Sequence, residues 1–101
     1  MAYNYTDLTL QMKIDPQWLA DGGTVYVGLV PDTGSAIEVT TTTFNPTEGI
    51  IVATVPQNQS KNLHGVVRVQ CNGFLNGARW ATEKKLMYVG ENTIERTLSN
   101  A

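Results

Sequence analysis

The sequence predicts an all-β domain, an antiparallel β-sandwich of immunoglobulin-like type with about six to eight short strands. Short segments alternate between apolar and polar residues, other runs are apolar at every position, and clusters of Gly, Pro and Asn separate them. No stretch repeats with the period of a long helix. A chain of 101 residues is long enough for one hydrophobic core, so residues 1–101 are expected to form a single domain.

The first half of the chain predicts three strands. Residues 7–14 alternate, which predicts a half-buried strand, and residues 16–20 then predict one helical turn. Residues 24–30 are apolar on both parities, as in a central strand covered on both faces. Residues 36–44 alternate again, and the threonines at 40–43 favour an extended, polar strand edge.

The next elements follow the turn at residues 45–49. Residues 50–55 are again apolar on both parities and predict a buried strand. Residues 57–62 are polar and without periodicity, which predicts a mobile surface loop. Residues 66–71 alternate and predict another strand, with Cys71 on its apolar side as a small buried side chain.

The last third predicts a hairpin and a long strand. Residues 72–77 contain two turn signals around the apolar pair Phe74 and Leu75, so the pair is expected at a hairpin tip. Residues 78–89 predict a strand whose charged centre, 83–85, requires a bulge or a strand edge. Residues 93–98 predict a short last strand or a helical turn.

Composition narrows the range of functions. A formal net charge of −2 and a pI of about 5.2 favour neither nucleic acid nor an anionic membrane as partner. No stretch reads as a signal peptide or a membrane span, so we expect the chain to be made and folded in a cytoplasm. A low charge content suits a domain that covers much of its surface with neighbouring chains.

One motif suggests catalysis. Residues 32–35 read Asp-Thr-Gly-Ser, and aspartic proteases carry Asp-Thr-Gly after an apolar strand, with two carboxylates sharing a proton. A type I turn explains the same residues, since Pro31 and Asp32 suit its centre and Gly34 closes it. We therefore expect a turn, and a protease homodimer through Asp32 remains an alternative.

Other chemistry finds no support in the sequence. His64 is the sole histidine and has no recognisable catalytic partner beside it. Cys71 is the sole cysteine, so a multi-cysteine zinc site is excluded, and the acidic residues are scattered. We expect no enzymatic activity, no cofactor and no metal.

Several residues are predicted to contact other proteins. Phe74 and Leu75 at an exposed hairpin tip would insert into a partner. Arg68 and Arg79 are predicted to lie across from each other on adjacent strands. Thr41 and Thr43 lie on the polar edge at 40–43, which is available for pairing with another chain.

The order of features over residues 24–89 resembles the N-terminal domain of siphophage upper-baseplate proteins. The resemblance begins with the strand Val25-Tyr26-Val27, which is followed by Pro31-Asp32 and Gly34. It continues with the turn at 45–49, the strand at 50–55 that ends before Pro56, the strand at 65–69 and the closing strand at 86–89. A free-standing domain of this kind is also similar to capsid decoration and head-fibre proteins. The resemblance implies a non-enzymatic virion structural protein that binds other virion proteins of a capsid, tail or baseplate, and a homo-oligomer.

A second class of function stays open, a domain that binds carbohydrate or a host surface. Trp18, Trp80 or Tyr26 would then stack on sugar rings. Two exposed aromatic residues on one face would favour this function, and buried tryptophans would remove its basis.

Overall fold

The computed structural model describes residues 2–19 and 24–99, and it confirms the all-β class. The elements are β1 (Ala2–Tyr3), β2 (Leu8–Lys13), a 3-10 helix (Pro16–Leu19), β3 (Tyr26–Pro31), β4 (Ile37–Asn45), β5 (Ile50–Val55), α1 (Gln57–Ser60), β6 (Gly65–Leu75), β7 (Ala78–Ala81) and β8 (Lys85–Gly90). The 3-10 helix lies where one helical turn is predicted.

The strands form one mixed sheet that curls nearly into a barrel, rather than a purely antiparallel sandwich. The order is β1-β8-β6-β3-β4-β5-β2, with β7 also paired to β6, and the β1–β8 pair is parallel. The long strand β4 explains the difference. Residues 37–40 pair with β3 and residues 41–45 with β5, so β4 joins what would otherwise be two separate sheets.

Apolar side chains on the concave side of this sheet form the core. On β3, Val27 and Leu29 are fully buried, and β5 and β8 contribute Ile51 and Val89. The prediction that 24–30 is covered on both faces is wrong, because Tyr26 is 38% and Val30 44% exposed. Side chains alternate across a strand, and no described element covers the convex side of β3.

The predicted break in the long strand after the hairpin is confirmed as a bulge. Ala81 is opposite Asn72 and Lys85 opposite Val69, so residues 82–84 face only two residues of β6. Thr82 fixes the bulge, since its N–H donates to Cys71 O at 2.9 Å and its Oγ1 accepts from Cys71 N–H at 3.0 Å.

Three other segments differ from prediction. Residues 57–62, predicted as an irregular loop, contain α1, and Ser60 Oγ donates to Thr6 O at 2.6 Å from a buried position. The hairpin turn is confined to Asn76 and Gly77, whose φ values of 52° and 80° suit a type I′ turn. Residues 93–98 form neither the strand nor the helical turn predicted for them.

Candidate functional site

The candidate site is the convex side of β3, β6 and β8, which we call the outer face. Among the described residues, the structure leaves nine large apolar side chains exposed. Register places seven of them on or beside this face: Tyr3, Tyr26, Val30, Val66, Phe74, Leu86 and Tyr88. Leu86, Tyr88 and Phe74 are the most exposed of these, at 69%, 56% and 53%. An apolar surface of this extent is typical of a protein-binding site.

Strand pairing arranges the centre of the outer face in rows. Val30, Arg68 and Leu86 are neighbours across β3, β6 and β8. In the next row Val66 is opposite Tyr88. Neighbouring strands are about 4.8 Å apart, so these side chains form one continuous surface.

An ion pair lies at the side of this apolar centre. Arg68 Nη1 donates to Asp32 Oδ1 at 3.0 Å, and the two side chains are about half exposed. A pair so open to water contributes only about 0–1 kcal/mol to stability. It holds the Arg68 guanidinium at the surface, where it is available to a partner.

The other end of the outer face combines aromatic and polar groups. Arg79 is opposite Phe74 in the β6–β7 pair, and its Nε and Nη2 donate to Asn72 Oδ1 at 3.3 and 3.1 Å. Tyr26 is opposite Asn72 across the β3–β6 pair. Together with Glu38, these residues border a depression of about 430 Å³.

The residues predicted to form the interface lie in different parts of the structure. Phe74, Arg68 and Arg79 lie on the outer face, but the two arginines do not face each other, since Arg68 is beside Leu86 and Arg79 beside Phe74. Leu75 has the opposite parity and is half-buried.

Thr41 is half-buried and pairs with Ala53, and Thr43 pairs through its backbone with Ile51 while its side chain lies outside the described residues. Residues 41–43 are therefore not the unpaired edge that the sequence predicts.

Sequence reasoning missed the apolar centre of the outer face. The signal was present, since β3 and β8 carry apolar residues on both parities. That pattern predicts two covered faces. The described part of the chain covers only one of these faces. The second set of alternating apolar side chains on β3 and β8 is therefore the feature that identifies the outer face.

The tryptophans lie on the concave side, away from Tyr26. The Trp18 and Trp80 rings stack with centroids 4.6 Å apart and planes inclined by 25°. Trp80 also lies over Gly73, where a Cβ would come within 2.5 Å of the indole ring. Each ring therefore already has an aromatic or backbone neighbour, and the two do not combine with Tyr26 into one platform.

The described part of the chain shows the surroundings of the residues considered for catalysis. Asp32 lies in an exposed turn, and its carboxylate accepts from Arg68 rather than sharing a proton with another carboxylate. His64 Nε2 lies 3.9 Å from Glu91 Oε1, and both side chains are exposed. Burial raises the pKa of the Cys71 thiol, against the opposing effect of a hydrogen bond with Thr82, which makes the thiol a weak nucleophile.

Residues 2–19 and 24–99 contain neither a metal-binding cluster of acidic, histidine and cysteine side chains nor a membrane-spanning helix. No group of three or more His, Cys, Asp and Glu side chains is placed to hold a metal ion. No helix in this part of the chain is long and apolar enough to cross a membrane.

Comparisons with protein-family models, with curated proteins and with solved structures give no match to this chain. We therefore infer the function from the chain's own residues.

Proposed function

We propose that this domain is a non-enzymatic binding module that attaches other protein chains to an assembly through its outer face. The observation that carries the proposal is the exposed apolar centre formed by Val30, Val66, Leu86 and Tyr88. The assembly we propose is a phage virion, with the domain on a capsid, tail or baseplate. That part rests on the resemblance in the order of sequence features.

Energetics favour a partner for the outer face. Burying one large apolar side chain contributes about 1.5–3 kcal/mol, so several neighbours can drive association once the entropy of binding is offset. Aromatic residues and arginine are enriched among the residues that dominate binding energy. Tyr88, Phe74 and Arg68 supply these residue types on one surface.

The proposed contact has a centre and a rim. The partner would place apolar side chains against Leu86 and Tyr88, from which water is then excluded. Arg68 would donate hydrogen bonds to a carboxylate or carbonyl oxygen of the partner at the side of this contact, and Arg79 and Asn72 would supply polar contacts at the far end.

The experiment compares virus particles purified from two cultures of the organism that encodes the chain. One culture produces the wild-type protein and the other produces the Val30→Glu variant. We expect the wild-type chain in purified particles by quantitative mass spectrometry, and a reduction by about tenfold or more for Val30→Glu, because removing a carboxylate from water beneath a partner is costly even beside Arg68. Thr54→Glu is the control, since Thr54 is exposed on β5.

Absence of the wild-type chain from particles would contradict the virion assignment. Equal incorporation of Val30→Glu and Thr54→Glu would contradict the outer face as the binding surface.

Carbohydrate binding is a second candidate, favoured by the depression between Tyr26 and Phe74. Exposed aromatic rings beside Asn72, Arg79 and Glu38 offer stacking together with hydrogen-bond donors and acceptors. A glycan array tests it with wild type and Tyr26→Ala. Binding that Tyr26→Ala abolishes would support this function, and no binding by the wild type would contradict it.

A further inference from the structure

The curled sheet is open between its two ends, and the opening is lined by unpaired strand edges. Within the described residues, β2 pairs only with β5. β8 pairs with β6 on one side, and on the other side only its last residues, Val89 and Gly90, pair with β1. Between β2 and β8 lies a groove of about 400 Å³. Unpaired N–H and C=O groups along such edges are a template for an added strand.

The floor of this groove is apolar. Met12, Val69 and Met87 are half-buried at the rim of the core, and Met12 Sδ lies 3.6 Å from Cys71 Sγ. These side chains have core neighbours below them and no described strand above. An added strand would cover them with every second side chain, because strand residues alternate in direction.

Strand β1 shows that the edge of β8 accepts an extended segment. Ala2 and Tyr3 lie parallel to β8, opposite Val89 and Gly90, and Ala2 packs against the core. From there the edge of β8 continues toward Lys85 without a partner in the described structure. A strand in line with β1 would lie in the groove.

The chain itself carries a segment with the chemistry of such a strand, residues 93–98, which we call the arm. Ile94 and Leu98 are 48% and 46% exposed and have the same parity. The arm is rich in β-branched residues, which favour strands. In this structure its backbone pairs with one side chain instead: Leu98 N–H donates to Gln57 Oε1 and Gln57 Nε2 to Leu98 O, both at 2.7 Å.

The arm cannot reach the groove of its own chain as a hairpin. Strand β1 occupies the edge of β8 at Val89 and Gly90, directly before the turn that leads into the arm. The base of the arm is also fixed, because Asn92 N–H donates to Asn4 Oδ1 at 2.7 Å. A second copy is free of this constraint.

Charged residues lie on both the groove and the arm. Lys13, Lys85 and Glu83 line the groove. Arg96 has the same parity as Ile94 and Leu98, so in an added strand it would face the groove, where Glu83 is the acidic residue. Glu95 has the opposite parity and would face away from the groove.

We propose that the arm of one copy binds in the β2–β8 groove of a second copy as an added strand, so that copies join by exchanging arms. This inference deepens the proposed function, because it names the contact that joins copies. The groove shares Leu86 with the outer face, and the two surfaces are tested separately with variants at other residues.

Disulfide trapping tests the contact. In a Cys71→Ala background, protein with Met87→Cys is mixed with protein carrying Ile94→Cys or, in a second mixture, Leu98→Cys, and both mixtures are oxidised. We expect a covalent dimer of the two different chains in at least one mixture, because disulfides form only when the Cα atoms come within about 7 Å. Val30→Cys replaces Met87→Cys as the control, since Val30 lies on the outer face.

Yields about tenfold above the control support the proposal, whereas yields equal to the control in both mixtures overturn it. Light scattering supplies a second readout that does not depend on engineered cysteines. The full chain is expected to form a dimer or ring, and Ile94→Asp with Leu98→Asp to return it to a monomer. A wild-type monomer at all concentrations would overturn arm exchange.

The Val30→Glu variant separates this inference from the proposed function. It is expected to lose incorporation into particles and to retain the trapped dimer. If the disulfide does not form but Val30→Glu still loses incorporation into particles, only the arm exchange is refuted.

Discussion

The two faces of the β3–β6–β8 sheet are built from the same kinds of residue but have opposite environments. Val27, Leu29 and Val67 on the concave face are fully buried, whereas Val30 and Val66 on the outer face are 44% and 38% exposed. Hydrophobicity therefore does not distinguish the two faces. The difference is a covering layer, since β2, β5 and the 3-10 helix lie over only the concave face.

Truncating the adjacent residues Leu29 and Val30 of β3 should give the greatest difference in folding stability. Leu29→Ala should destabilise the fold by about 2–5 kcal/mol, because it leaves a cavity in a fully buried site. Val30→Ala should cost less than about 1 kcal/mol, because the side chain already contacts water. Urea denaturation of both variants measures this, and equal losses would contradict the assignment of the faces.

Two glycines, one on each face of the sheet, should differ in their tolerance of a side chain. Gly73→Ala should destabilise by about 1–3 kcal/mol, because its Cβ would meet the Trp80 ring at 2.5 Å and displace the stack with Trp18. Gly28→Ala is the control, since its nearest neighbour there is Gln70 O at 3.9 Å. Urea denaturation and near-UV circular dichroism report the two effects. An unchanged tryptophan signal in Gly73→Ala would contradict the packing described.

The pKa of Cys71 gives a pH-dependent test of the concave face. Burial raises the pKa of this thiol, so the folded state favours the neutral form. The resulting stability is complete below the pKa of the unfolded thiol and is lost as pH rises through the folded pKa. Wild type should therefore lose more stability than Cys71→Ala when urea denaturation is repeated at increasing alkaline pH. Parallel curves would show that the thiol is not desolvated.

The smallest effect is expected at the ion pair of the outer face. Asp32→Asn should change stability by about 0–1 kcal/mol, because both partners are about half exposed. A double-mutant cycle with Arg68→Met isolates the coupling, measured at low and high salt. A coupling well above this range that resists salt would mean that the pair is shielded from water.

Local sequence patterns were sufficient for much of the fold. Alternation located β2, and the charged interruption after β7 located the bulge. The turn signals at 72–77 indicated the hairpin, although its turn is confined to Asn76 and Gly77. These features depend on residues close in sequence. The strand at 36–44 was predicted and corresponds to β4, but its pairing with both β3 and β5 was not predictable, because the two partners are chosen by how the whole sheet curls.

The candidate site shows the same division. Phe74, Arg68 and Arg79 were predicted from their place beside a turn, and the structure places them on the outer face. Leu86 and Tyr88 were missed as contacts, because apolar residues on both parities predict burial and do not reveal which face has no cover.

Most of the strands and turns, and the two apolar faces in the middle of the sheet, follow from the sequence, because backbone preference and side-chain alternation are local properties. Which apolar face became the core and which became the outer face was set by the tertiary structure. The tertiary structure also placed β2 at one end of the sheet and β8, followed by the two-residue β1, at the other, with a groove between β2 and β8. Both outcomes depend on which segments, distant in the chain, compete to cover the same surface, and that competition is settled by packing the whole domain.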